Sequence, residues 1–412
     1  MKRSVTHWQA TVLFLLFTVV IAVYFLLGWL WSRTHAGRQR AAAGRSPASE
    51  APVQITDPLD GAVLQRSAEV TVGSALLEPG FSEAEFVVDG RPVAIKVNPQ
   101  PQTVPWTVQW LWDSADVGTH TLALRARRAN GEVENSPLVS VVVVPIGRLV
   151  FVSNRDGAYA LYSMRTDGRQ IVKLTSGLGD ARQPAVGKDG LLAYVTKTVN
   201  GQSTIRQMAR GDSTGENWLA GAEPAWAPDG LVLAYSSIVG GVSQISVVAA
   251  SGDPPLQVTD EEIYAGQPAW SPDGTRLAYV AERDGNLDIW VLFVDGSGAY
   301  RLTDSPAKDW APAWSPDGSQ LAFVSDRGGS HQIYAMRADG SRPRLLSDSP
   351  LGAEGPAWSP DGSWLAFVAY TGETSGIRGR EIHLMRSDGQ NQVRLTFNDA
   401  DDTEIEWPVP AE

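Results

Sequence analysis

Cysteine is absent from the 412 residues, which excludes disulfides, thiolate metal sites and a cysteine nucleophile. Histidine is scarce, at five residues. His7 and His35 flank an apolar N-terminal run and His120 lies further on. Only His331 and His383 fall in the repeats described below, at different repeat positions, so no His-based metal cluster or triad is legible. Charged residues make up only 19% of the chain. What is abundant is turn and packing material: 40 Gly, 26 Pro and 15 Trp, the composition of many short strands rather than long helices.

The net charge of −12 is unevenly placed. Residues 1–146 carry 12 basic and 12 acidic side chains, so the whole excess of acid belongs to residues 147–412. So acidic a region repels a phosphate backbone, which argues against a nucleic-acid partner.

Residues 12–31 read VLFLLFTVVIAVYFLLGWLW, a run without charge and of the ~20-residue length a helix needs to cross a bilayer. Trp8 at one end and Trp29 and Trp31 at the other suit the interfaces. The run exceeds the ~7–15 apolar residues of a cleaved signal, so an uncleaved single-pass anchor is expected after the short flank 1–11. Arg33, Arg38, Arg40 and Arg45 follow it and pull towards the cytoplasm, but long domains translocate despite such charges. The expectation is a membrane protein with its C-terminal domains outside the cytoplasm. Residues 32–52, rich in Ala, Gly, Ser and Arg, read as a flexible linker.

In residues 53–146 short alternating apolar runs are separated by Asp60-Gly61, Asp89-Gly90 and Asn130-Gly131 turns, the pattern of a small β-sandwich. The segment resembles bacterial immunoglobulin-like surface domains in its "DPLDGAVL" opening, "VVDGRPV" hairpin and "GTHTLALRARRANG" strand, which implies a spacer or adhesive module.

The motif Pro-Ala-Trp-(Ser/Ala)-Pro-Asp-Gly places Trp226, Trp270, Trp314 and Trp358 at steps of 44 residues. Degenerate copies at Val186 and Trp407 bring the count to six. A period of about 40–50 residues, each unit holding several short strands, signals a propeller. Within one unit, "PAWS" reads as the innermost strand, Pro316-Asp317-Gly318 as a turn, residues 321–325 and 332–336 as the second and third strands, and "RPRLLS" as the outer strand. The first unit, from Arg148, lacks an innermost strand and the last leaves one over. Residues 404–408 are therefore expected to close the ring.

These repeats resemble the TolB-like propeller family, "PAWSPDGSQLAFVSDRGGSHQIYAMRADGSRPRLLSD" being close to its usual unit. The resemblance covers residues 147–407 and implies protein binding or gating. The expected architecture is all-β: a six-bladed β-propeller (147–412) preceded by an immunoglobulin-like β-sandwich (53–146) and one transmembrane helix (12–31).

The repeated tryptophans, with Trp407, are read as packing between blades, and the Asp-Gly pairs as turns. Gly211-Asp212-Ser213-Thr214-Gly215 matches the serine-hydrolase pattern but falls on a hairpin, not between a strand and a helix. No enzyme is expected, and no cofactor. The acidic run to Glu404 has one ingredient of a calcium loop but lacks its Gly and distal Glu. The informative asymmetry is in the loops from each outer strand to the next innermost strand, which hold thirteen acids against Arg182 and Lys308. The binding candidates are Asp260, Glu261, Glu262, Asp304, Asp309, Glu354, Asp399, Asp401, Asp402 and Glu404, with Tyr264 and Trp310 as aromatic anchors. In a propeller these loops share one face and ring the central channel, so one mouth is expected to be acidic and to attract a protein or peptide with a basic surface. The rival readings are a propeller-type hydrolase and a purely architectural envelope protein.

Overall fold

All regular structure among the described residues is β, apart from one 3₁₀ turn at Lys188–Gly190. The computed structural model describes residues 51–409 except 67–68, 114, 178, 199, 260–261 and 373–378. The expected membrane segment 12–31 lies outside these residues, as does nearly all of the linker 32–52. No helix among the described residues is long and apolar enough to cross a membrane.

The first domain is a two-sheet sandwich. Strands Val53–Asp57, Glu69–Leu76 and Trp106–Asp113 form one sheet, and a second sheet is built on Phe81–Val88, Gly118–Arg128 and Val139–Val144. Alternation puts Val108, Trp110 and Trp112 inside while their neighbours face water, as a half-covered antiparallel sheet requires. Trp110 is completely buried and its indole N–H donates to Ser74 Oγ at 2.8 Å.

Six four-stranded antiparallel sheets follow. Blade 1 combines Asp402–Glu406 with Arg148–Ser153, Ala160–Arg165 and Val172–Lys173, so the ring is closed by the C-terminal strand as expected, two residues earlier than the sequence suggested. Blades 2 to 6 run in order, with innermost strands Ala181–Val186, Ala222–Trp226, Ala265–Trp270, Asp309–Trp314 and Ala353–Trp358. These strands begin before the "PAWS" motif because the chain enters the ladder upstream of the proline.

Second strands are apolar on both faces because a blade lies on either side. In Gln320–Ser325 every residue after the first is buried. The tryptophans sit in the seams between blades. Trp270, Trp314 and Trp358 each donate an indole N–H to the alanine carbonyl of the preceding blade, Ala225, Ala269 and Ala313, at 3.0–3.2 Å.

The residues after each tryptophan lock a turn. Ser315 Oγ donates to Asp317 Oδ1 at 2.6 Å and accepts the Gln320 N–H at 3.0 Å, while Asp317 Oδ1 accepts the Ser319 N–H at 3.1 Å. Blades 4 and 6 repeat this with Asp273 and Asp361. The Ser271 hydroxyl and the Thr275 N–H hold the Asp273 carboxyl down at about 2. These carboxylates serve the turn.

Sandwich and propeller belong to one compact unit. Gln65 of the sandwich donates to Gly147 O at 2.7 Å and to Thr166 Oγ1 at 2.9 Å, and Val63, Val117 and Val142 pack against the core that holds Trp407. The boundary between the domains falls between Val139–Val144 and Arg148–Ser153.

Candidate interaction site at the channel mouth

Each innermost strand breaks register just before its motif. The residue in the break is left-handed in every blade: Gln183, Glu223, Gln267, Ala311, Gly355 and Glu404, with φ between 49° and 62°. For a side chain other than glycine that conformation costs on the order of 1 kcal/mol and needs compensation. The bulge turns a main-chain N–H out of its own ladder towards the preceding blade. Gln183 N–H donates to Glu404 Oε2 at 2.6 Å, Glu223 N–H to Gln183 Oε1 at 3.0 Å, Gln267 N–H to Glu223 Oε2 at 2.8 Å, and Ala311 N–H to Gln267 Oε1 at 2.8 Å. These bonds stitch blades 1 to 5 around the channel lip. The chain of links stops there, because Ala311 and Gly355 have no side-chain acceptor to offer blades 6 and 1.

Those two seams carry something else. At the seam of blades 5 and 6, Trp310 meets His331 edge-on with centroids 5.9 Å apart, and His331 stacks on Tyr370 at 5.6 Å. Tyr370 donates to Glu354 Oε2 at 2.9 Å. Burial and the nearby Glu354 push the Tyr370 hydroxyl up to about 12, so it stays a donor. At the seam of blades 6 and 1, Arg380 bridges Glu354 at 3.3 Å and Asp401. Tyr159 donates to Asp401 Oδ2 at 2.8 Å. Burial alone would raise Asp401, but Arg380 and Tyr159 more than reverse it and hold the carboxyl below its ordinary range. The Arg182 guanidinium lies 3.5 Å from the Tyr159 ring centroid and 3.4 Å from Glu404 Oε1. The result is a continuous, half-buried aromatic and ionic belt from blade 5 round to blade 2.

The candidate residues separate into groups against this geometry. Trp310, Glu354, Asp401 and Glu404 belong to the belt. Glu262 and Asp399 are exposed on the rim, and Asp304 is exposed and pairs with Arg301 at 3.0 Å. Asp260 and Glu261 lie outside the described residues. Asp309 and Asp402 differ from the expectation of a binding surface: both are completely buried. Arg327 holds Asp309 with two contacts at 2.9 Å, and Arg155 holds Asp402 with two at 3.0 Å. Their charge is spent inside the protein. Tyr264 is half-buried, and burial, with Glu223 nearby, raises its hydroxyl.

Arg155, Arg327 and Arg380 were not among the candidates, and they reduce the excess of acid at the mouth. In a four-stranded antiparallel blade the loop into the innermost strand shares a face with the hairpin joining the second and third strands. Counting only the first set of loops misses cations in the second. The signal was present as "SNRDG" and "SDRGG", where an arginine follows the second strand. Tyr159, His331 and Tyr370 were likewise missed, as they belong to these hairpins or to the strand end beside them.

Gly211-Asp212-Ser213-Thr214-Gly215 lies between strands Ser203–Met208 and Glu216–Ala220 of blade 2, a hairpin whose Ser213 carbonyl accepts the Ser176 N–H at 2.9 Å. His383 is half-buried, with its imidazole pushed down to about 4 by desolvation and Arg394. Among the described residues no group of three His, Asp or Glu is placed to hold a metal ion.

Residues 221–349, which span blades 3 to 5, match the family described as the TolB beta propeller domain. These are TolB-type propeller blades. Beyond that match, the chain is similar to TolB from Acinetobacter baumannii, with 19% identity over 71% of this chain and 80% of that one and a TM-score of 0.56. It is also similar to the TolB-assigned protein of Agrobacterium tumefaciens, with 25% identity over 64% of this chain and 99% of that one and a TM-score of 0.50. Comparison with curated protein sequences finds no match. The TolB-type propeller is thus the shared element.

Proposed function

We propose that the chain is a membrane-anchored, extracytoplasmic binding protein whose TolB-type propeller engages a protein or peptide with a basic surface at the channel mouth. The observation that carries this reading is the half-buried belt Trp310–His331–Tyr370–Glu354–Arg380–Asp401–Tyr159. It joins an aromatic shelf to paired carboxylates on one rim, the composition expected of an interaction hot spot. Exposed Glu262, Asp304 and Asp399 surround it with acid that would steer a cationic partner. The uncharged run at 12–31 supplies the anchor in this reading, and the sandwich serves as the spacer.

A photo-crosslinking residue placed at Trp310 in the full-length protein, in its native membrane, tests the proposal. The expected result is a discrete crosslinked protein from position 310 and none from Leu231, which is 64% exposed on a turn after an innermost strand, away from the mouth. Association of that protein should slow between 0.01 and 0.15 M salt, as the Debye length falls from about 30 to about 8 Å. The same crosslinks from both positions, or none from 310, would reject it.

A further inference from the structure

Four of the six seams at the channel lip are joined by one kind of bond: a bulge N–H donating to a side-chain oxygen of the preceding blade. In blades 6 and 1 the bulge repeats, with Gly355 at φ 62° and Glu404 at φ 49°, and neither residue has a partner in the ladder of its own blade. Their N–H groups are therefore presented as those of Gln183, Glu223, Gln267 and Ala311 are, towards a position that a side-chain oxygen would fill. Ala311 and Gly355 cannot fill it. Main-chain N–H groups are obligatory donors, and leaving one without an acceptor is costly once water is displaced. The two vacant acceptor positions adjoin each other and lie at the seams that carry the aromatic shelf and the ionic belt.

We propose that the side-chain amide carbonyl of an Asn or Gln on the bound partner, next to a basic residue, occupies this gap and completes the ring. This rests on the reading of the mouth as the partner site and names the group that enters it. The acceptors already in the ring are amide oxygens of Gln183 and Gln267 and carboxylates of Glu223 and Glu404, so both chemistries fit the geometry. The surroundings choose between them. Glu354, Asp401 and Glu404 stand at these seams with Arg380 and Arg182 already paired to them, so an incoming carboxylate meets like charge and an amide does not. The Trp310–His331–Tyr370 cluster, with Trp310 edge-on to His331 and His331 stacked on Tyr370, lies against the same seam and offers apolar contact to the methylenes of such a side chain.

The test uses the full-length protein in detergent micelles and three capped tripeptides, Lys-Gln-Lys, Lys-Glu-Lys and Lys-Leu-Lys, measured by calorimetry. The Gln peptide should bind about tenfold more tightly than the Leu peptide, the worth of roughly one satisfied hydrogen bond, and more tightly than the Glu peptide. The double variant Ala311→Gln/Gly355→Gln closes the ring from within. It should melt no lower than the wild type, because Gln183 and Gln267 already hold Gln at φ 50° and 53°, and should lose the Gln preference. Leu231→Gln, at the exposed turn away from the mouth, adds a Gln outside the ring and should keep the preference. Equal affinity for the Gln and Leu peptides, no binding at millimolar concentration, or an unchanged preference in the double variant overturns the proposal. Crosslinking from position 310 reports separately on the mouth: a partner captured there without any Gln preference sinks the ring completion alone.

Discussion

Removal of residues 402–412 is expected to lower the unfolding midpoint by more than about 10 °C or to prevent folding. The deletion takes away the strand Asp402–Glu406 that completes blade 1, together with buried Ile405 and Trp407, and leaves the Arg155 guanidinium without its buried Asp402 partner. It also removes Glu404, the acceptor for the Gln183 N–H. Loss of one large buried aromatic alone costs about 3–5 kcal/mol, and an open edge adds to that. At about 2–4 °C per kcal/mol for a domain of this size the midpoint falls by the stated amount. Val409, 77% exposed, gives the control, since Val409→Ser should leave the melt unchanged. Thermal unfolding followed by tryptophan fluorescence decides it, and a truncated protein melting within about 2 °C of the parent would contradict ring closure as the source of stability.

Glu406→Gln is expected to stabilise the protein at pH 8.5 by about 2–4 kcal/mol and to leave it unchanged at pH 4. Glu406 occupies the repeat position held by Ala185, Ala225, Ala269, Ala313 and Ala357 in the other blades, next to the tryptophan. In blades 4 to 6 the tryptophan packs against the alanine of the preceding blade. Between blades 1 and 2 the tryptophan position is Val186, and its counterpart is Glu406. The large residue has changed sides, with the innermost strands of the two blades still in contact. The residue keeps some accessible surface, yet desolvation alone pushes its carboxyl up to about 8.

A carboxyl raised in the folded state favours the protonated form there. Its contribution is fully favourable below the unfolded value near 4.5, declines as pH rises towards 8, and is constant above it. The wild type should therefore lose stability across that window, and Glu406→Gln should flatten the profile. The pair Glu406→Ala/Val186→Trp, which restores the usual exchange, should recover more stability than the sum of the single changes. Parallel stability profiles for wild type and Glu406→Gln between pH 5 and 8 would show that the carboxyl is not held in a dry seam.

The mouth was less legible than the blades for a definite reason. The acidic residues of the inward loops could be counted along the chain, but their partners could not. Asp309 and Arg327 are near in sequence, whereas Asp402 and Arg155 are 247 residues apart, and nothing in either segment marks the pairing. Two candidates thus proved to be interior ion pairs. Their value lies in holding hairpin to strand, since a buried charge keeps its place only with such a partner. The belt of Tyr159, His331, Tyr370 and Arg380 was hidden for the same reason, being assembled across seams from segments with no common motif.

By itself the sequence determined the number of blades, the closure by the C-terminal strand, the turn role of the Asp-Gly pairs and the seam role of the tryptophans. Each of these depends on interactions within one repeat or between repeats one period apart, and a period of 44 residues displays them at the same position again and again. Only the tertiary structure decided which carboxylates face the channel, that the lip is stitched by bulge N–H groups, and that the stitching stops between blades 5 and 1. Those features depend on how six nearly equivalent strands converge on one axis. At that axis a missing side chain, at Ala311 or Gly355, matters as much as any that is present.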